Sequence, residues 1–151
     1  MINLRKILLV EDNPNDLELT LEALNEQNLA NRVIPLNDGV EAMEYLLYKG
    51  KFENREKENP AVILLDIKMP RMDGIEVLQA IKTNPELKTI PVVMLTSSRE
   101  EPDLKKCYDL GVNAYVVKPV NFKDFFNAIK GLGVFWALIN ELPTNGGQKD
   151  E

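Results

Sequence analysis

The pattern of this sequence predicts an α/β domain built on a mostly parallel sheet. Three observations carry that expectation. Five short apolar runs, rich in β-branched residues, recur along the 151-residue chain, and runs of this kind read as strands buried on both faces. A helical pattern follows each run, which implies parallel strands joined by crossover helices. Four of the five runs end in polar residues with useful chemistry, and in open α/β sheets ligands bind at the carboxyl ends of the strands.

Taken in order, Lys6-Ile7-Leu8-Leu9-Val10 reads as a central strand followed by Glu11-Asp12. Asn13 is a good N-cap and Pro14 a good first helical residue. Leu17, Leu21 and Leu24 continue at helical spacing. Arg32 to Leu36 is a short second strand, and Asp38 caps a helix carrying Val40, Met43, Tyr45, Leu46 and Leu47. Lys49 to Pro60 reads as a charged, structure-poor linker, long for a compact domain. Ala61 to Asp66 is the third strand. Pro70 and Gly74 turn the chain into a third helix that starts at Asp73, with Ile75, Val77, Leu78 and Ile81 facing inward. Pro91 to Thr96 is the fourth strand. A helix from about Glu100 to Leu110 stops at Gly111, the expected C-terminal glycine. Ala114-Tyr115-Val116-Val117 is the fifth strand, ending at Lys118-Pro119, and Asn121 caps the last helix. Right-handed crossovers leave few topologies. The best fit is a flavodoxin-like three-layer sandwich, five parallel strands in the order 2-1-3-4-5 with five helices. Residues 1–143 form one domain with an extended C-terminal helix, and 144–151 have the composition of a disordered tail.

The net charge is −6 and no segment is strongly basic, which argues against nucleic-acid binding. The single cysteine, Cys107, suits a reducing compartment and reads as buried filler. No secretory signal or membrane-spanning run is visible, so the expectation is a soluble, cytoplasmic protein with no effector domain after the core. The chain has no histidine. Histidine acid–base catalysis, histidine metal ligation and a phosphohistidine on this chain are all excluded.

What remains is a set of carboxylates, hydroxyls and a lysine at the strand ends. Strands 1, 3, 4 and 5 are neighbours in the expected order, so Glu11, Asp12, Asp66, Thr96, Ser97 and Lys118 converge. Three carboxylates in one cleft call for a cation, and an all-oxygen set suits Mg²⁺ or Mn²⁺. Asp12 and Asp66 are expected to ligate it directly, with the backbone carbonyl of Lys68, while Glu11 acts through a bound water. Asp66, on a rigid strand end, then suits attack on phosphorus to form an acyl phosphate. The cation and Lys118 neutralise the transferring group, and the Thr96 hydroxyl donates a hydrogen bond to it. With no histidine present, the phosphoryl group must arrive on another molecule.

These residues resemble the response-regulator receiver domain of two-component signalling. The resemblance spans about residues 4 to 131. It rests on Glu11-Asp12, on Asp66 with its Met69-Pro70-Asp73-Gly74 turn, on Thr96-Ser97 and on Tyr115-Val116-Val117-Lys118-Pro119. It implies phosphoryl transfer from a histidine kinase onto Asp66, and self-catalysed hydrolysis. It also implies Tyr115 as a switch aromatic, a cis peptide before Pro119 and a readout face of helix 4, strand 5 and helix 5 toward a downstream protein target. A finer resemblance points to stand-alone receivers paired with cyanobacterial phytochrome-type kinases. That likeness rests on Val10-Glu11-Asp12-Asn13-Pro14, on Asn37-Asp38-Gly39-Val40-Glu41-Ala42 and on the long linker before strand 3. Receivers serving other kinases, as in chemotaxis or motility, are the alternative. A haloacid-dehalogenase-type enzyme needs an acid two residues after the nucleophile, where Lys68 stands. A flavodoxin needs a phosphate-binding loop rich in Ser, Thr and Gly after strand 1, where Glu11-Asp12-Asn13-Pro14-Asn15-Asp16 would repel phosphate.

Lys68 lies where it would cover the acyl phosphate, which predicts slow hydrolysis. The last helix carries Phe122, Phe125, Phe126, Ile129 and Leu132, then a nearly all-apolar stretch with Phe135, Trp136 and Ile139. A helix apolar on several sides needs cover. A homodimer contact through Phe122, Phe126, Phe135, Trp136 and Ile139 is the expectation.

Overall fold

The computed structural model describes residues 5–98, 100–132 and 138. Strands β1 (Ile7–Val10), β2 (Val33–Leu36), β3 (Val62–Asp66), β4 (Val92–Thr96) and β5 (Ala114–Val117) alternate with helices α1 (Pro14–Asn25), α2 (Gly39–Leu46), α3 (Gly74–Lys82), α4 (Asp103–Asp109) and α5 (Phe122–Ile129). All strand pairs are parallel, in the order β2-β1-β3-β4-β5, as expected from the sequence.

Strand pleating sorts the apolar residues into two cores, because successive side chains point to opposite faces. Leu8, Val10, Ile63, Leu65, Val92 and Met94 pack against α2, α3 and α4, while Ile7, Leu9, Val62, Leu64, Val93 and Leu95 pack against α1 and α5. The three central strands are therefore sealed on both faces. Truncating one of their leucines to alanine costs about 2–5 kcal/mol.

Four helix starts follow their caps. Asn13, Asp38, Asp73 and Asn121 each accept a hydrogen bond from the backbone N–H three residues on. Asp73 and Glu76 form a reciprocal capping box. Helix α4 starts at Asp103 rather than near Glu100. Pro102 is the cause, because a proline disfavours helical backbone in the residue before it.

The stretch from Lys49 to Pro60 has little regular structure, as the sequence leads one to expect, yet it is held in place. It holds a 3-10 turn at Gly50–Phe52, and Arg55 ties down the rest. The Arg55 guanidinium lies 3.8 Å from the Tyr45 ring centre and 4.1 Å from that of Tyr48. Its nitrogens donate to the carbonyls of Tyr45, Glu56 and Glu58. Composition shows the charges but not that one planar cation is stacked among rings and carbonyls.

Helix α5 buries Phe125 and Ile129 fully, while Phe122, Phe126 and Leu132 are half-buried. Leu138 is buried in the same core. Phe135, Trp136, Ile139 and the 143/144 boundary lie outside the described residues. Cys107 is fully buried, and burial pushes its thiol up to about 11, which makes it the inert filler expected. Among the described residues no helix is long and apolar enough to cross a membrane.

Candidate functional site

The sheet order delivers the strand ends to one cleft of about 310 Å³. Register places Val10 beside Leu65, Asp66 beside Leu95 and Thr96 beside Val117. Glu11, Asp12, Asp66, Lys68, Thr96, Ser97 and Lys118 all line that cleft. Hydrogen bonds carry the ladder past the strand ends: Glu11 N–H to the Leu36 carbonyl, Ile67 N–H to Leu95 and Lys118 N–H to Thr96. Asp66 and its neighbours are thus mounted on backbone that is itself paired.

The turn after Asp66 is packed tightly. A Cβ on Gly74 would collide with the Asp66 carbonyl and the Ile67 Cα, and the Gly74 N–H donates to the Ile67 carbonyl over 2.8 Å. Only glycine allows α3 to start this close to the acid.

Lys118 is the electrostatic centre. Its ammonium lies 3.0 Å from Asp16 Oδ2, 3.2 Å from Glu11 Oε1 and 3.2 Å from Asp66 Oδ1. Burial alone would lower its pKa; the hydrogen bond to Asp16 and the charges of Asp66 and Glu11 outweigh that and raise it. One cation does not balance this many acids. Burial first, then the charge of Asp66, pushes Glu11 up to about 7. Asp66 is also raised, chiefly by burial and against the pull of its hydrogen bond with Glu11 and of Lys118. The buried pair therefore holds on to protons that ordinary carboxyls release.

One oxygen each from Glu11, Asp12 and Asp66 lie within 4.8 Å of one another. This all-oxygen, electron-rich and partly exposed set fits a small hard divalent cation that keeps some of its waters. Such a cation would relieve the same crowding of buried negative charge that raises Glu11 and Asp66.

Thr96 is buried, and its hydroxyl donates to the Ser98 carbonyl at 3.0 Å. Ser97 is exposed at the rim. Tyr115 pairs with Met94, two residues before Thr96, so it shares a sheet face with Thr96 rather than lining the cleft. Its ring is half-buried and lies edge-on to that of Tyr108, 6.3 Å between centres. The Lys118–Pro119 peptide is cis.

Two cleft residues escaped the sequence reading. Asp16, in the first turn of α1, looks like an ordinary acid complementing a helix dipole. Its approach to Lys118 joins residues 102 positions apart in the chain. Glu101 lines the cleft and reaches Lys68, Oε2 to Nζ 3.7 Å, with Asp103 Oδ2 at 3.9 Å from the same lysine.

An acidic cleft with a half-buried lysine at the strand ends of a doubly wound sheet is the arrangement that the receiver resemblance implies. The chain belongs to the response regulator receiver domain family, whose pattern matches residues 7–130, and its role is that of a phosphoacceptor in two-component signalling. It is 44% identical over 137 residues to the response regulator Rcp1 of Synechocystis sp., covering 91% of this chain and 92% of that protein. The bacteriophytochrome response regulator AtBRR superposes with a TM-score of 0.84 at 62% identity, covering 92% of this chain and 99% of that one. A Mn²⁺-bound form of Rcp1 superposes with a TM-score of 0.70 at 44% identity, covering 93% of this chain and 99% of that one.

Proposed function

We propose that Asp66 is the phosphorylated residue of a receiver that serves a phytochrome-type histidine kinase. The observation that carries the assignment is the Lys118 ammonium 3.2 Å from Asp66 Oδ1, in a cleft where Glu11 and Asp12 bring further carboxylate oxygens. Likeness to a bacteriophytochrome response regulator supports the kinase class.

Asp12, Asp66 and the Lys68 carbonyl would hold Mg²⁺ or Mn²⁺, with Glu11 acting through a bound water. When bound, the cation neutralises charge on the phosphoryl oxygens. An Asp66 oxygen forms a bond to phosphorus as the bond from phosphorus to the donor nitrogen breaks. Lys118 turns from the carboxylate toward the new phosphoryl charge. Thr96 exchanges its bond to Ser98 for one to a phosphoryl oxygen, and Tyr115 follows it inward; Ser97 supports the same group from the rim. The same cleft admits water for hydrolysis of the acyl phosphate, so the protein catalyses both its charging and its discharge. The altered face of α4, β5 and α5 is what a downstream protein reads. A homodimer through Phe122 and Phe126, extended by Phe135, Trp136 and Ile139, completes the reading. The Phe122 and Phe126 rings are near-parallel with centres 6.0 Å apart, on a half-buried face.

The deciding experiment mixes the protein with Mg²⁺ and acetyl phosphate and maps the acid-labile phosphate. Labelling is expected at Asp66 and absent in Asp66→Asn. A variant labelled as strongly as the native chain refutes the assignment. Sedimentation that finds only monomer at every concentration, with and without phosphate, refutes the dimer.

A further inference from the structure

Arg71 stands midway between Lys68 and Gly74 and is the only residue of the Asp66–Gly74 segment with positive φ, at 67°. A non-glycine residue rarely adopts that conformation unless its surroundings hold it there. What holds it is visible. Arg71 Nε donates to Asp38 Oδ2 at 2.8 Å and Nη2 to Oδ1 at 3.1 Å, a two-pronged ion pair. Asp38 is buried, and its Oδ1 also accepts from the Glu41 N–H at 2.9 Å. The acid is therefore fixed by the start of α2 before Arg71 reaches it. The Arg71 guanidinium beside it is the main influence holding the Asp38 carboxyl below the usual range.

The backbones of the two loops meet at the same place. A Cβ on Gly39 would collide with the Met72 carbonyl and crowd the Val77 and Met72 side chains. The segment after Asp66 is thus held at its far end by Gly74 against the Asp66 carbonyl, and in its middle by Arg71 on Asp38. Lys68 lies between those anchors and Asp66, with its side chain exposed. Neither Asp38 nor Arg71 lines the cleft.

We propose that Asp38 and Arg71 are positioning residues for the phosphoacceptor site: their ion pair locks the left-handed turn that sets the Lys68 carbonyl for the cation. The inference rests on the phosphoacceptor reading above. A fork-shaped guanidinium on a buried carboxylate fixes both distance and angle, which a single contact does not. Asp38 sits at the start of α2 and Arg71 after β3, so the pair transmits the seating of one helix to the metal side of the cleft. Groups that orient metal ligands in this way without touching the metal commonly matter about 10–100-fold in metal affinity.

The test uses Asp38→Asn and Arg71→Gly in the full chain. Asparagine keeps the cap on α2, but with its oxygen on the Glu41 N–H it turns an amide N–H toward Arg71. Glycine removes the guanidinium and relaxes the turn. Mn²⁺ affinity is read by EPR of the free ion, acetyl phosphate charging by its rate and its concentration dependence, and folding by metal-free thermal unfolding. Each variant is expected to bind Mn²⁺ about tenfold more weakly while its α2-capped fold melts as a single transition. The double variant should be no worse than the weaker single one, because both remove the same pair. Mn²⁺ affinity within about twofold of the native chain in either single variant overturns the proposal. A native chain that neither binds Mn²⁺ nor takes up phosphate overturns the phosphoacceptor reading beneath it.

Discussion

Glu11 offers a prediction whose size follows from its surroundings. The residue is 1% exposed, and its carboxyl is pushed from 4.5 to about 7 by burial and then by Asp66. Between those values the folded metal-free protein binds a proton that the unfolded chain has released. Stability contributed by the protonated form is fully present below pH 4.5 and is lost as pH rises through about 7. At about 1.4 kcal/mol per pH unit, the gap from 4.5 to about 7 is worth about 3 kcal/mol. Asp66 is raised beside it, so the loss is read for the two acids together. Glu11→Gln supplies a permanently neutral side chain of the same shape. Urea unfolding in the presence of a chelator should show the native chain losing up to about 3 kcal/mol between about pH 5 and pH 8. The variant should lose much less. Adding Mg²⁺ at the higher pH should restore the native chain, and Mg²⁺ binding to it should release protons. Equal stability of the metal-free native chain at both pH values would refute the reasoning. So would a variant with the native pH dependence.

Further outcomes follow from the same cleft. Lys118→Met should slow charging by acetyl phosphate about 10²–10³-fold, as removal of one pre-aimed charge partner does, while Mn²⁺ titration still finds a site; charging at the native rate would remove Lys118 from the chemistry. Lys68→Asn should shorten the half-life of the acyl phosphate, because it clears the side chain now drawn toward Glu101 and Asp103; an unchanged half-life in a radiolabel decay assay counts against a shielding role. Thr96→Val should leave charging nearly intact but abolish the phosphate-dependent change in tyrosine fluorescence; a preserved change would separate Tyr115 from Thr96.

Much of this was legible in the sequence because the relevant patterns are local. Val62 to Leu65 is apolar throughout because β3 is covered on both faces, so the run itself announces a central strand. The caps at Asn13, Asp38, Asp73 and Asn121 bond to N–H groups three residues away, within the reach of a sequence window. The convergence of Glu11, Asp12, Asp66, Thr96 and Lys118 needed only the strand order, since each ends or follows a strand. The low regular structure of Lys49 to Pro60 was legible, but not what holds it, because that comes from Arg55 stacking on Tyr45 and Tyr48. Charged composition resembles a linker whether or not such a stack forms.

By itself the sequence determined which chemistry was available: no histidine, carboxylates at two strand ends, a hydroxyl at a third and a lysine at a fourth. It also determined the order of elements, because strand and helix periodicities are properties of neighbouring residues. Only the tertiary structure decided how charge is shared. Asp16 joins Glu11 and Asp66 on Lys118, and Arg71 closes on Asp38 across 33 residues. Such contacts depend on ångström-scale distances between remote side chains, set by how the packed layers seat against each other, and no local pattern encodes them.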